Sequence, residues 1–448
     1  MCGRTRRWLA YLVAAFCIAA AGCTVPSLSP PERSPGVVRL PSLPNVRSGV
    51  WSARIVSKGY FDRFGQVGQV LVYRDGSDLV AADRSTGVAR WRRAVPGLLR
   101  IVSGLLVLVA EAQLGSDAGS VEVIDPATGA TRWRVTGHIQ QVHVLQDAVY
   151  ETTCQLAPSN LGRGCTTTAR EVRDGRVRWS ARGVGLSGDL IGPAVPDVPP
   201  GQRYLPVYGD RTEALIDTTN GRVLRAAART GTSWYEFAAG PVLVTTDHDP
   251  PDSDSACTIT VSAIDVRTGA RAWAHPLYSG RRADGTCAKR LADHENQDRV
   301  VIGAGTWIAA ATSTGRPQAV DLKTGRPLWT GSEPGIPIDG TDRAILVRRQ
   351  ADAGGIAMLD ARTGALRWTA PDPGLSGRSV SWHTAVSQRL VAVTGAVGDR
   401  PRVVVYEAMT GRQLGVWPGW LHGVGEDWVA VTHDGRNDDT ITLDVISI

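Results

Sequence analysis

The stretch DHDPPDSDSAC (247–257) brings Asp247, Asp249, Asp252 and Asp254 into one short run, close enough for carboxylates to converge on Ca²⁺. An EF-hand loop needs Gly at its sixth position and a bidentate Glu at its twelfth. Counted from Asp247 those positions hold Asp252 and Thr258, so the run (247–254) reads as a solvated acidic loop, with Ca²⁺ binding left open. The histidines at 138, 143, 248, 275, 294, 383, 422 and 433 form no His-Glu-x-x-His pair and no other ligand spacing. No nucleophile elbow, phosphate loop or dinucleotide fingerprint stands in a suitable context. GVGLSG (183–188) is glycine-rich but lies between strand-like segments and reads as a connection. These patterns predict no catalytic, cofactor-binding or metal-binding residue.

Cysteine is the remaining reactive type. Apart from Cys2, Cys17 and Cys23, the chain carries Cys154, Cys165, Cys257 and Cys287, and four cysteines allow three connectivities. An exported chain can oxidise them, and context favours neighbours. A bond from Cys154 to Cys165 would pin the base of the insertion QLAPSNLGRG, and one from Cys257 to Cys287 would join two long connections.

Export is itself an expectation from the N-terminus. MCGRTRRW supplies positive charge, and WLAYLVAAFCIAAA is an apolar run of 14 residues, short of the about 20 that span a bilayer. Ala20, Ala21 and Gly22 precede Cys23 in an arrangement that resembles the lipobox of bacterial lipoproteins, departing from it at Ala20, where Leu is usual. The expected division is a lipoprotein signal peptide over 1–22, then a lipidated (palmitate-bearing) Cys23 with a tether over 23–49. TRRWLA (5–10) loosely resembles a twin-arginine signal, so Sec and Tat routes both stay open. The tether contains Pro26, Pro30, Pro31, Pro35, Pro41 and Pro44 and no apolar periodicity, a composition that stays extended and holds a domain off a surface. The expected place is the outer face of the cell membrane, or the periplasmic face of the outer membrane in a diderm host. Of 49 basic residues only Lys58, Lys289 and Lys323 are Lys, which points to a high-GC bacterium such as an actinobacterium. Without the leader arginines the excess of basic over acidic residues is small and dispersed, which excludes a nucleic-acid stripe.

Elements able to position side chains come from a repeat. Aligned on Gly, the chain shows DRSTGVARW (Gly87), DPATGATRW (Gly129), RDGRVRW (Gly175), DTTNGRVLR (Gly221), DVRTGARAW (Gly269), DLKTGRPLW (Gly325), DARTGALRW (Gly364) and EAMTGRQLG (Gly411). The spacings are 42, 46, 46, 48, 56, 39 and 47 residues, a period that marks a propeller or another repeat array. In each copy a β-branched strand precedes a turn. The acid opens the turn by accepting backbone amides, as at Asp125, Asp265, Asp321 and Asp360, and Gly closes it with φ > 0. A second strand follows with Trp four residues beyond the Gly, at Trp91, Trp133, Trp179, Trp273, Trp329 and Trp368; Arg225 and Gly415 break the pattern. These rings are expected to pack between neighbouring units. Further short apolar segments bring each unit to about four strands, one propeller blade. VWSARIV (50–56) reads as an outer strand lacking partners and DWVAVTHDG…TITLDVISI as a partial unit, which together would close the ring.

The D-x-x-T-G-x-x-x-W units resemble the pyrroloquinoline-quinone (PQQ)-type β-propeller repeat of quinoprotein dehydrogenases and of the BamB outer-membrane assembly lipoproteins, over roughly 50–448. The resemblance implies an all-β fold, a single propeller of four-stranded blades over 50–448, with eight blades favoured and seven or nine left open. Quinoprotein dehydrogenases carry two adjacent cysteines beneath the quinone and in some cases a C-x-x-C-H haem site; this sequence has neither. The expectation is therefore a monomeric, non-catalytic protein-interaction scaffold without a cofactor. Its expected partners are unidentified envelope proteins, with membrane contact through its lipid and no nucleic acid. A sensor of a small molecule or glycan is the alternative, and a quinone-dependent dehydrogenase comes last. The insertions at 155–164, 246–257 and 279–294 would crowd one face, the candidate binding surface.

Overall fold

The structure, a computed structural model, describes residues 50–56, 64–110, 119–145, 147–154, 164–186, 203–208, 212–228, 233–239, 242–248, 256–281, 301–303, 306–312, 314–349, 354–371, 373–374, 384–397, 400–434 and 440–448. Every regular element among them is a strand, and the strands form nine four-stranded antiparallel sheets. Each sheet is a meander, here named from the centre outward A, B, C and D. Blade 1 is Gly65–Val67, Val70–Asp75, Asp78–Asp83 and Ala89–Ala94. Blades 2 to 8 follow in chain order, opening with Leu98–Val102, Ile139–Val144, Gly185–Leu186, Ser233–Ala239, Val301–Gly303, Gly335–Gly340 and Thr384–Val386. Blade 9 takes its first three strands, Trp420–Val424, Trp428–Asp434 and Thr440–Ser447, from the C-terminus and its outer strand, Val50–Val56, from the N-terminus.

Where their side chains are described, the B strands are buried on both sides and so read as unbroken apolar runs rather than as alternation. In blade 1, Leu71 and Tyr73 face blade 9 and pack with Ile55, Trp428 and Leu443, while Val70 and Val72 face blade 2 and pack with Leu99, Leu106 and Ile124. Similar two-sided cores join blade 2 to 3, 3 to 4, 7 to 8 and 8 to 9. Each blade touches the next, and blade 9 touches blade 1, so the ring closes on itself. Residues Asn45–Ile448 form one compact unit, and all nine sheets lie within it.

The expected class and blade architecture are present, but the favoured count of eight is corrected to nine. None of the eight turn-bearing units lacks its four strands, so the terminal strands build a blade of their own instead of completing another. Pairing Val50 with Ile446 through Val56 with Thr440 removes the open edge that either terminus alone would expose. GVGLSG is corrected as well: Gly185–Leu186 is the inner strand of blade 4, hydrogen-bonded to Val207 and Tyr208. Two residues are too short to show a periodicity.

Candidate functional site

All eight turns share one geometry. Gly87, Gly129, Gly175, Gly221, Gly269, Gly325, Gly364 and Gly411 have φ between 68° and 73°. In the second copy the Gly129 amide donates to the Asp125 carbonyl (2.8 Å) and the Asp125 amide to the Ala130 carbonyl (2.9 Å). The Asp125 carboxylate accepts the Ala127 amide at 3.0 Å and the Arg132 guanidinium at 2.7 Å. Asp321 accepts both the amide and the hydroxyl of Thr324 at 2.7 Å. Asp360 accepts the amides of Arg362 and Thr363, each at 3.0 Å, and Arg367 at 2.8 Å. Asp265 accepts Arg267 through its amide (2.9 Å) and its guanidinium (2.7 Å). These hydrogen bonds favour the ionised form, so Arg267 and Arg367 hold Asp265 and Asp360 down at about 2. Arg132 lowers Asp125 in the same way. The third copy uses Glu171, lowered by Arg178, where RDGRVRW had shown no opening acid.

Seven of the eight turns also receive the tryptophan of the preceding blade; blade 4 has Arg225 in its place. Trp91 donates its indole N–H to the Pro126 carbonyl (2.8 Å), Trp133 to Val172 (2.8 Å), Trp179 to Thr218 (3.0 Å), Trp329 to Ala361 (2.8 Å) and Trp368 to Ala408 (2.9 Å). The acceptor is always the residue after the opening acid. The ring lies flat over the turn glycine, so a Cβ on Gly129 would stand 2.8 Å from the Trp91 ring. Trp273 sits on Gly325 in the same way, and its N–H meets no acceptor among the described residues. A bulge beside each of these tryptophans aims it, as where Trp133 pairs with Val123 before the register shifts.

Two participants were missed by sequence reasoning. Trp51, on the outer strand of blade 9, donates to the Arg84 carbonyl at 2.8 Å and covers Gly87, so it is the ninth blade's tryptophan. Its turn lies over 30 residues downstream, and only ring closure brings them together. Arg90, Arg132, Arg178 and Arg367, seven residues beyond their acids, pair with Asp83, Asp125, Glu171 and Asp360. Their signal was the Arg-Trp doublet in four copies. Gly415 is also explained: blade 9 has no C–D turn for a blade 8 tryptophan to cover, and Trp417 packs over Gly415 instead.

At the other end of the blades, Cys154 and Cys165 are register partners closing the B–C pair of blade 3, bonded as a disulfide with Cα atoms 4.0 Å apart. Beneath them the Thr152 and Thr167 hydroxyls share a hydrogen bond (3.1 Å). Thr152 accepts the Leu186 amide and Thr167 donates to the Val184 carbonyl, tying the bridge to blade 4. The connections 155–164 and 249–255 run from B to C in blades 3 and 5, and 282–300 runs from D of blade 5 to A of blade 6, so all three leave from this end. Cys257 is described in backbone only, and Cys287, Cys23 and residues 249–254 of the acidic run lie outside the described residues. Among the described residues no three of His, Cys, Asp and Glu are grouped as metal ligands would be. The bridged cysteines are eleven apart on two strands. The chain has no adjacent cysteine pair, and the described residues hold no carboxylate set of the kind that would bind a quinone's calcium.

A closed ring of four-stranded blades, seven of its nine seams capped by a tryptophan over an acid-to-glycine turn, defines the class: the chain is a β-propeller whose repeats are similar to the PQQ type. The family model described as outer membrane protein assembly factor BamB matches residues 45–188 and 352–417, which hold blades 1 to 3, the outer two strands of blade 7 and nearly all of blade 8. No curated protein matches the chain. Among solved structures the chain is similar to BamB from Moraxella catarrhalis, with 13% identity over 91% of this chain and 100% of that one at a TM-score of 0.38. It is also similar to a eukaryotic initiation factor, with 11% identity over 82% and 89% at a TM-score of 0.49. A quinohemoprotein alcohol dehydrogenase from Pseudomonas putida HK5 shows 13% identity over 89% and 76% at 0.39.

Proposed function

We propose that this protein is an exported scaffold of a bacterial cell envelope, held to the membrane by a lipid on Cys23 and binding envelope proteins through the end of the ring from which the B–C and D–A connections leave. The carrying observation is a division of labour along the strands. At one end the acids, threonines and tryptophans of the repeat bond to the ring itself, so their chemistry is structural. At the other end the connections range from Gly76 and Ser77 alone in blade 1 to 155–164 in blade 3 and 282–300 after blade 5. A rigid ring with varied loops at one end is how scaffolds carry recognition. The BamB family match over nearly half the chain agrees with a non-catalytic role, although fold does not fix function.

The test has two parts. Cross-linking in the native host, then purification of the full chain, should recover the same envelope proteins repeatedly, and fewer when 155–164 is replaced by a short Gly-Ser turn. Titration of pyrroloquinoline quinone with calcium should show no saturable binding; saturation with dye-linked alcohol oxidation would replace this reading by a dehydrogenase. Metabolic labelling with palmitate that is lost in Cys23→Ser would support the anchor, and labelling unchanged in that variant would overturn it.

A further inference from the structure

We propose that the turn end of the ring is a second interaction surface, one that rests on anionic phospholipid headgroups. Seven large apolar side chains stand out as exposed among the described residues, and six of them, Val88, Val177, Leu328, Leu366, Met409 and Ile448, lie at this end. The first five sit in or directly after acid-to-glycine turns. Ile448 takes the equivalent place in blade 9, its amide bonded to the Asp427 carbonyl as Ala408 is to Arg389 and Ala361 to Arg343.

Cations are interleaved with them. Every blade from the third to the eighth presents at least one exposed basic residue from its turn, in order Arg173, Arg222, Arg267, Lys323, Arg362 and Arg412. The opening carboxylates of these turns are engaged with backbone amides, threonine hydroxyls and arginines. Among the described residues the exposed carboxylates of this end are Asp147, which pairs with Arg178, and Asp174, Asp342 and Glu426, fewer than the cations. Basic side chains beside shallow apolar ones are what a headgroup layer attracts: the charges meet phosphate and the apolar groups enter the interface. Recurrence on six successive blades spreads the pattern around a ring, which suits a plane better than the local footprint of a folded partner.

Where the chain enters agrees with this. Val50 pairs with Ile446, so the outer strand of blade 9 begins at the turn end. With Cys23 lipidated, this end would face the membrane and the disulfide-bridged end would face away. This last step rests on the anchoring reading; the surface pattern does not.

Cosedimentation of residues 24–448 with vesicles separates the two, because the ring is complete within 50–448 and the leader and lipid are absent. Phosphatidylglycerol-containing vesicles should bind the chain, phosphatidylcholine vesicles should not, and salt should weaken the binding. Combining Arg222→Glu, Lys323→Glu and Arg362→Glu should reduce partitioning by roughly a hundredfold. Leu366→Ser with Met409→Ser should reduce it several-fold. Arg182→Glu, at the opposite end of blade 3, should leave it unchanged, and circular dichroism should show each variant folded. Equal binding to both vesicles, binding to neither, or equal losses for the turn-end and Arg182 variants would overturn the proposal. A chain that takes palmitate at Cys23 yet fails here keeps its anchor and loses this surface.

Discussion

Trp329 and Gly364 show why the repeat conserves its own spacing within this chain. Gly364 has φ +68°, and a Cβ there would stand 2.5 Å from the Trp329 ring, so a methyl group meets both backbone strain and a clash. Gly364→Ala should therefore cost roughly 3 kcal/mol in denaturant unfolding. The cost should shrink when Trp329→Ala opens space beneath it, a coupling that a double-mutant cycle measures. The carboxylates carry a pH signature. Asp265 and Asp360 fall to about 2 through Arg267 and Arg367, below the unfolded value of about 3.9. A depressed acid contributes stability that is present above the unfolded value and lost as pH falls through the folded one. The unfolding midpoint should therefore hold steady above about pH 5 and drop between about 4 and 2. Asp360→Asn should lower neutral-pH stability by about 1 kcal/mol and flatten part of that drop in a thermal melt.

The bridged B–C pair of blade 3 is the element where covalent and non-covalent links converge. Cys154 and Cys165 close a short loop, and the threonine pair below them fastens blade 3 to the inner strand of blade 4. Cys154→Ser with Cys165→Ser should cost about 2 to 3 kcal/mol by the loop-closure argument. Thr152→Val should cost about 1 to 3 kcal/mol more, because the Leu186 amide loses its buried acceptor. Unfolding curves with and without reductant check both, and reductant should destabilise the parent chain more than the double serine variant. Sequence context had paired these two cysteines because both flank strand-like segments. The two-residue strand of blade 4 was illegible because its partners, not its own pattern, make it a strand.

At the scale of the whole ring, stability depends on one strand. Val50–Val56 supplies the outer edge of blade 9, buries Ile55 and seats Trp51 on the first turn, while Arg84 pairs with Asp427 across the same seam. Removing residues 50–56 should leave Thr440–Ser447 as an exposed edge and the turn of blade 1 uncovered. The expected outcome is loss of the cooperative melt and association in size-exclusion chromatography. Trp51→Ala keeps the strand and should cost about 3 to 5 kcal/mol. A chain lacking 50–56 that stays monomeric with an unchanged midpoint would show that the seam closes without this strand.

The sequence by itself determined the repeat unit: its acid, its glycine, its tryptophan and the four-strand blade that their spacing implies. These are local, since a turn's backbone preferences and the apolar run of a strand are written within ten residues of one another. The number of blades, the identity of Trp51 as the ninth tryptophan, the reason for Gly415 and the gathering of exposed apolar and basic side chains at one end were decided only in the tertiary structure. Each depends on residues hundreds of positions apart meeting when the ring closes, and closure is a property of the assembled sheets that no single repeat encodes.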